Sequence, residues 1–217
     1  GLGQCNDETA NLVSIVQYAI ENSSSITVGS KTIDLTGYTV DTSLTSFGDA
    51  SLASKLGSAP IFLMPNLEGS LTGWDATSQT TLNDYVQSGG ILVMTGTSGP
   101  ADANFLNAAF GWDVSSTSCS TVGKNATNTK NTDFDNGPAS LDCPNATDHL
   151  DCGAQACTPY YGTASSNAAS QFLVGEGVVL YLAWDFRNSG YAVDGHQDCP
   201  SRTDGFVDVL LLSLSVA

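Results

Sequence analysis

The sequence predicts an α/β fold of three layers, a mostly parallel sheet flanked by helices, within a single domain of 217 residues. Two apolar runs of strand length, "IFLM" at 61–64 and "ILVMT" at 91–95, are typical of strands buried on both faces. Each is followed by a pattern of helix length, at residues 75–88 and 101–112. Strands that alternate with helices favour a parallel sheet covered on both sides.

The chain before residue 60 predicts four more elements. An apolar stripe over residues 7–22, behind a capping Asp7, predicts a helix. Short β-branched runs on either side of Gly29-Ser30 predict a hairpin, and "GYTVDT" at 37–42 predicts another strand. A short helix at about 49–56 is expected to lead into the first buried strand.

The second half of the chain changes in character. Residues 113–170 are rich in Ser, Thr, Asn, Asp and Gly, and they predict a loop-rich insert cross-linked by disulfides. Two strands are expected around the Gly175-Glu176-Gly177 turn. The apolar segment 203–217 predicts a buried helix.

The cysteines and sequons indicate an extracellular or cell-surface protein. No CxxC pair of the zinc or redox type occurs, and an even number of cysteines favours three disulfides with 15 possible pairings. The cysteines are Cys5, Cys119, Cys143, Cys152, Cys157 and Cys199. N-glycosylation sequons begin at Asn22, Asn125 and Asn145, so N-linked glycans are predicted partners.

Charge and hydropathy exclude two classes of partner. A formal net charge of −16 would be repelled by a phosphate backbone, so no nucleic acid is expected. No apolar run reaches the roughly 18 residues that a membrane-spanning helix needs. No phosphate-cradling loop with lysine and no dinucleotide fingerprint occurs, so no cofactor is predicted.

Three stretches carry a resemblance to a known superfamily: "TTLNDYVQSGGILVMTG", "NFLNAAFGWDV" and "VGEGVVLYLAWDF", in this order. They resemble the flavodoxin-like domain of the class I glutamine-amidotransferase and ThuA-like superfamily, in particular its divergent extracellular members. The resemblance covers about residues 40–112 and 170–215, and it leaves the cysteine-rich insert outside. It implies a flavodoxin-like sheet, which binds ligands in the loops that follow the strands.

The start of the sequence departs from this superfamily. Such domains open with a central strand before the first helix, whereas only "GLGQCN" precedes Asp7. Two glycines in six residues make a poor strand. We expect either that the sheet lacks this strand or that a segment of another molecule fills its place.

Ser98 is the candidate nucleophile, in the turn Gly96-Thr-Ser-Gly-Pro100 after a predicted strand. The hydrolase elbow G-x-S-x-G has glycine where this turn has proline, and the cysteine that glutamine amidotransferases require is absent. A serine also needs a base, and His196 with Asp198 loosely resembles the superfamily's H-x-E pair. We therefore predict a structural turn, with Ser98, His196 and Asp198 as the alternative catalytic triad; His149 is expected at the surface.

No metal site is the first expectation. Asp133 and Asp135 resemble part of a calcium loop, but the EF-hand ligand order and its terminal glutamate are missing. Calcium bound by Asp133 and Asp135, or by Asp194 and Asp198, is the alternative.

Aromatic side chains offer a possible sugar-binding surface. Trp112 and Trp184 adjoin predicted core elements and are expected inside, and Trp74 is a further candidate for stacking. Tyr160 and Tyr161, next to a cysteine, are predicted to form the better surface patch.

These observations favour a non-catalytic secreted structural glycoprotein that assembles with itself into an extracellular filament, sheath or cell-surface appendage. Missing catalytic residues, disulfides, sequons, few lysines and the absent strand point the same way. One alternative is a serine hydrolase or amidotransferase-like enzyme that uses Ser98. Another is a carbohydrate-binding module.

Overall fold

The chain folds as a mixed α/β structure in which one seven-stranded sheet is flanked by helices. The computed structural model describes residues 7–67, 71–144, 147–189 and 204–216. The helices of this part are α1 Glu8–Glu21, α2 Leu52–Ser58, α3 Ala76–Gln87, α4 Ala101–Phe110, α5 Ala126–Thr129 and α6 Asp204–Leu214, with a 3₁₀ helix at Asp133–Asn136. Its strands are β1 Thr27–Val28, β2 Lys31–Thr32, β3 Ile61–Met64, β4 Ile91–Thr95, β5 Ser115–Ser118, β6 Val122–Gly123, β7 Ser140–Leu141, β8 Asp148–Asp151, β9 Thr158–Thr163, β10 Ser166–Val174 and β11 Gly177–Leu182.

Local capping sets the ends of the long helices. α1 begins after Asp7, whose carboxylate accepts the N–H of Ala10 at 2.9 Å. α3 begins with a capping box, in which the side chains of Asp75 and Ser78 each accept the other residue's N–H. α4 ends at Gly111, which has a φ of 69°, a left-handed conformation that glycine adopts without steric cost. These contacts confirm the predicted helix starts at Asp7 and Asp75.

The chain between α1 and α2 matches the predictions in part. β1 and β2 form the predicted hairpin. The strand predicted at 37–42 is wrong, because this segment is irregular. Its Asp41 carboxylate accepts the N–H of Ser43 at 2.8 Å and pairs with the Lys55 ammonium at 2.8 Å. Local polar contacts thus hold the segment without a neighbouring strand.

The main sheet has the strand order β3-β4-β11-β10-β8-β5, and β9 also pairs with β10. The pairs β3–β4 and β4–β11 are parallel, and the other described pairs in the sheet are antiparallel. The prediction of a mostly parallel sheet is therefore corrected to a mixed sheet. The antiparallel pairs come from strands of the segment 113–170: short reversals join β9 to β10 and β10 to β11, and β5 and β8 also pair antiparallel although a long connection separates them.

That segment is richer in strands than the predicted loop-rich insert. β5 reads "SSTS" and β8 reads "DHLD", so neither shows an apolar run, yet the two strands pair over four residues. Hydrogen bonding to neighbouring strands, rather than an apolar face of their own, determines their conformation.

Two disulfides cross-link this segment. Cys119 bonds to Cys143, and Cys152 bonds to Cys157. The disulfide prediction is confirmed for these four residues, whereas Cys5 and Cys199 lie outside the described residues. Two disulfides are compatible with a protein that folds in an oxidising compartment.

The core lies around β4, β11 and α6. Leu92, Val93 and Met94 of β4 are fully buried, and residues 209–214 of α6 are buried throughout. α6 contacts β11, α1 and the 3₁₀ helix, which accounts for apolar residues on nearly every side of it. Within the described residues, no helix is both long enough and apolar enough to cross a membrane.

Candidate functional site at the end of β4

The turn after β4, residues 96–100, packs closely against the end of β11. The N–H of Gly96 donates to the carbonyl of Leu182 at 2.6 Å and also lies 3.1 Å from the carbonyl of Trp184. A Cβ atom at Gly96 would lie 2.6 Å from the carbonyl carbon of Ala183. Glycine is required here because the two backbones approach each other, which is a structural reason for its presence in the motif.

Polar groups of the turn are used in hydrogen bonds within the fold. The N–H of Thr97 donates to Asp102 Oδ2 at 2.8 Å, and the N–H of Gly99 donates to Asp148 Oδ2 at 2.6 Å. Ser116 Oγ donates to the carbonyl of Gly99 at 2.7 Å. The turn is thus fastened to α4, β8 and β5 by side chains that approach it from three elements.

Ser98 itself is exposed, and no described residue forms a hydrogen bond with its hydroxyl. His149, which the sequence places at the surface, is fully buried in β8, and its Nδ1 lies 2.9 Å from Ser166 Oγ. Burial lowers the pKa of His149, and the charge of Asp148 opposes this effect. His196 and Asp198 lie outside the described residues, and the imidazole of the one described histidine, His149, bonds with Ser166 rather than with Ser98.

Asp102 carries a strongly perturbed carboxyl group at this end of the sheet. It lies in the first turn of α4 and is only 1% exposed. Burial raises its pKa to about 7, and the nearby charge of Asp148 adds to the rise, while hydrogen bonds from Thr97 and Tyr181 oppose it. Oδ1 has no hydrogen-bond partner among the described residues.

Tyr181 of β11 joins the two carboxyl-bearing elements. Its hydroxyl lies 3.3 Å from Asp102 Oδ2 and 3.1 Å from the carbonyl oxygen of Asp148. Burial raises the pKa of Tyr181 well above its usual value. Tyr181 therefore links α4 to β8. The buried carboxyl group of Asp102 can hold a proton near neutral pH.

Sequence reasoning missed the group formed by Asp102, Asp148 and Tyr181. An aspartate in the first turn of a helix is explained by the helix dipole alone. A tyrosine in an apolar strand is explained by core packing. The pattern along the chain therefore contains no signal that the three residues meet.

A cavity of about 270 Å³ lies beside the start of α4. Its described lining is Leu67, Leu71, Trp74, Ala101, Asn104 and Phe105. The rings of Trp74 and Phe105 stack with their centroids 4.4 Å apart. The described lining contains no acid, base or nucleophile, so it offers packing surface rather than reaction chemistry.

The predicted aromatic surface patch is wrong. Tyr160 is 4% exposed and stacks on Phe134 at a centroid distance of 4.0 Å. Tyr161 is fully buried, and its hydroxyl donates to the carbonyl of Pro138 at 2.9 Å. Both lie in β9, whose pairing with β10 places them inside the fold. Trp184 is buried as predicted, whereas Trp112 is only half-buried and stacks with the rings of Phe110 and Phe172.

Asp133, one of the two acids of the alternative calcium site, forms other contacts. Asp133 pairs with the ammonium of Lys31 at 3.0 Å and accepts a hydrogen bond from Ser215 at 3.0 Å. No group of three or more His, Cys, Asp or Glu side chains in the described part could hold a metal ion. Asp194 lies outside that part, as does Asp198.

Two of the three sequon asparagines are described. Asn22 ends α1, and its Nδ2 donates to the carbonyl of Tyr18 at 2.9 Å. Asn125 precedes α5, and its Oδ1 accepts the N–H groups of Thr127 and Asn128. Its Nδ2 has no hydrogen-bond partner among the described residues, so the atom that carries an N-glycan is available there. Asn145 lies outside the described residues.

No protein-family model matches the chain, and no curated protein matches it significantly. Among solved structures, it is similar to the mmIFT52 N-terminal domain, with 12% identity and a TM-score of 0.50 over 76% of this chain and 81% of that one. It also matches a β-galactosidase from Bacillus circulans sp. alkalophilus, with 14% identity and a TM-score of 0.37 over 57% of this chain and 20% of the enzyme. A third match is the exo-β-1,4-mannosidase Op5Man5 from Opitutaceae bacterium strain TAV5, with 15% identity and a TM-score of 0.37 over 59% and 21%. The first likeness concerns the fold alone, and the chain spans about a fifth of each glycosidase.

Proposed function

We propose that this chain is a non-catalytic structural subunit of a secreted glycoprotein assembly, such as an extracellular filament, sheath or cell-surface appendage. The observation that supports it is the use of the turn after β4 as a structural junction. The N–H groups of Gly96, Thr97 and Gly99 all donate to acceptors within the fold.

This arrangement argues against acyl-transfer chemistry at Ser98. A serine hydrolase needs backbone N–H groups that are free to stabilise an oxyanion, and a base within hydrogen-bond reach of the hydroxyl. Here three N–H groups of the turn are already bonded, and His149 is buried against Ser166. In this proposal, the turn holds α4, β5 and β8 together and does not catalyse a reaction.

We further propose that the chain belongs to the superfamily that its sequence resembles. Three parallel strands in the order β3-β4-β11, with α3 and α4 among their connections, agree with one half of a flavodoxin-like, three-layer domain. In this proposal, the antiparallel strands of segment 113–170 are an addition to that scaffold, cross-linked for an oxidising compartment.

Electron microscopy of the purified chain tests the proposal. We expect long, regular particles to form as the concentration of secreted, disulfide-intact protein increases. Peptide mapping by mass spectrometry should find a glycan at Asn125 that Asn125→Gln removes, because no described residue accepts a hydrogen bond from its Nδ2. Protein that stays dispersed at every concentration and ionic strength contradicts self-assembly.

A covalent probe tests the enzyme alternative separately. We expect no labelling of the native chain by a fluorophosphonate under conditions that label a known serine hydrolase to completion. Labelling that disappears in Ser98→Ala, but persists in Ser116→Ala at the neighbouring strand, would identify Ser98 as a nucleophile. It would contradict the proposal that the chain is non-catalytic.

A further inference from the structure

We infer that β3 is a dimerisation strand that pairs, across a two-fold axis, with the same strand of a second copy of this chain. β3 lies at one end of the main sheet, and β4 is its only partner among the described strands. This contact does not depend on the function proposed above, because a closed dimer would form whether or not filaments form.

The register of β3 shows which of its backbone groups are open. In a parallel strand, one residue directs both its N–H and its C=O toward one neighbouring strand, and the next residue directs both toward the opposite side. The N–H of Ile91 donates to the carbonyl of Pro60 at 3.1 Å, so Pro60, Phe62 and Met64 face β4. The backbone groups of Ile61 and Leu63 therefore point away from the sheet, and no described residue forms a hydrogen bond with them.

The residues on either side limit the open edge to these two positions. The N–H of Ala59 is bonded to the carbonyl of Leu56 at 3.1 Å, at the end of α2. Pro65, the next residue that would face outward, has no N–H. Between residues 61 and 63 the edge thus presents two donors and two acceptors, which are distributed symmetrically about Phe62.

This pattern is complementary to itself. In an antiparallel pair with a two-fold axis at Phe62, Ile61 lies opposite the partner's Leu63. Residues in such an outward-facing pair exchange two hydrogen bonds. The two symmetric pairs then use all four donors and all four acceptors of the combined edge. A strand of another register would leave some of these groups unbonded.

The side chains favour association as well. Ile61, Phe62 and Leu63 are only half-buried, whereas Leu92 and Val93 of β4 are fully buried. Residues 59–66 carry no charged side chain, and charged side chains are a common means by which edge strands avoid pairing. The opposite end of the sheet, β5, consists of Ser and Thr and lacks such an apolar strip.

The net charge predicts how the dimer responds to salt. Each copy has a formal charge of −16, so the two copies repel each other over distances comparable to the screening length. An uncharged contact strand lets salt screen this repulsion without weakening the contact itself. We therefore expect the dissociation constant of the dimer to decrease as the ionic strength increases.

Analytical ultracentrifugation of the full chain in high salt tests the contact. Leu63→Pro removes an outward N–H and leaves the hydrogen bonds to β4, and Ile61→Lys places a charge on the edge. Each should weaken dimerisation by at least about tenfold. Ser118→Lys adds the same charge at β5 and should leave dimerisation unchanged. Circular dichroism establishes that each variant is folded.

Cross-linking gives a readout that a folding defect cannot imitate. The two Phe62 residues would form the non-hydrogen-bonded pair at the axis, where Cα atoms lie about 4.5 Å apart, a separation that a disulfide spans. Under mild oxidation Phe62→Cys should form a covalent dimer that a reductant releases, and Met64→Cys should not.

The outcomes separate this inference from the proposed function. A dimer that depends on β3 but never forms filaments supports the contact and contradicts filament assembly. A wild-type chain that stays monomeric in high salt, or a dimer that both β3 variants leave intact, overturns the contact.

Discussion

Replacing the buried acid by its amide, Asp102→Asn, should change how the stability of the fold depends on pH. Folding raises the pKa of Asp102 from 3.8 to about 7, so the folded state binds this proton more tightly than the unfolded state. Below pH 3.8 the carboxyl is protonated in both states. As pH rises from 3.8 to about 7, Asp102 ionises first in the unfolded state, so the wild-type fold loses stability.

The size of the effect follows from the two pKa values. A difference of roughly three units, at about 1.4 kcal/mol each, gives a loss of about 4 kcal/mol by pH 8. Asp102→Asn keeps an oxygen that can accept the N–H of Thr97 but cannot ionise. We therefore expect its stability relative to wild type to improve by about 3–4 kcal/mol between pH 4 and pH 8.

Urea unfolding followed by circular dichroism at several pH values measures this difference. Asp84→Asn, which removes an exposed carboxyl from α3, controls for the loss of one negative charge and should run parallel to wild type. If the free energy of unfolding of Asp102→Asn also runs parallel to that of wild type from pH 4 to pH 8, burial does not raise the pKa of Asp102.

Four further predictions concern packing, a disulfide and a hydrogen bond, each measured as the free energy of unfolding. Gly96→Ala should destabilise the fold by roughly 1–3 kcal/mol, because its Cβ would overlap the backbone at the end of β11. Gly57→Ala, with nothing within 4 Å of the new Cβ, should instead stabilise α2 by about 0.5–1 kcal/mol. Replacing Cys119 and Cys143 by Ala should cost about 3 kcal/mol, as expected for the loop that they close, and an unchanged stability would contradict the observed pairing. Tyr161→Phe should cost about 1 kcal/mol through the lost hydrogen bond, and a neutral effect would place the hydroxyl in solvent.

The apolar runs at 61–64 and 91–95 carried enough information to predict their strands. The expectation that such a strand is buried on both faces is confirmed for β4, whereas β3 lies at the end of the sheet and its Ile61, Phe62 and Leu63 are only half-buried. The buried helix α6 was predictable from its apolar residues as well. The helix starts at Asp7 and Asp75 were predictable because an N-cap contact is local.

The remaining features depend on contacts between distant parts of the chain. His149 lies in β8, in which Leu150 is the one apolar residue, and pairing with β5 and β10 places it inside. Tyr160 and Tyr161 face the interior for the same reason. The buried acid was missed because a carboxyl group acquires a perturbed pKa from its tertiary neighbours, which an aspartate in a helical pattern does not reveal.

The connections between β9, β10 and β11 have a consequence for the order of folding. β9 ends at Thr163 and β10 begins at Ser166, and a similarly tight reversal joins Val174 to Gly177. This three-stranded meander can form without closing a long loop, whereas the partners Ile91 and Val178 are far apart in the sequence. Pulse-labelling hydrogen exchange should therefore find the meander protected before the β4 segment, with the outermost parallel strand acquiring its hydrogen bonds last. In a nascent chain that strand would stay unpaired for the longest time, and we expect chaperones to bind it during this interval.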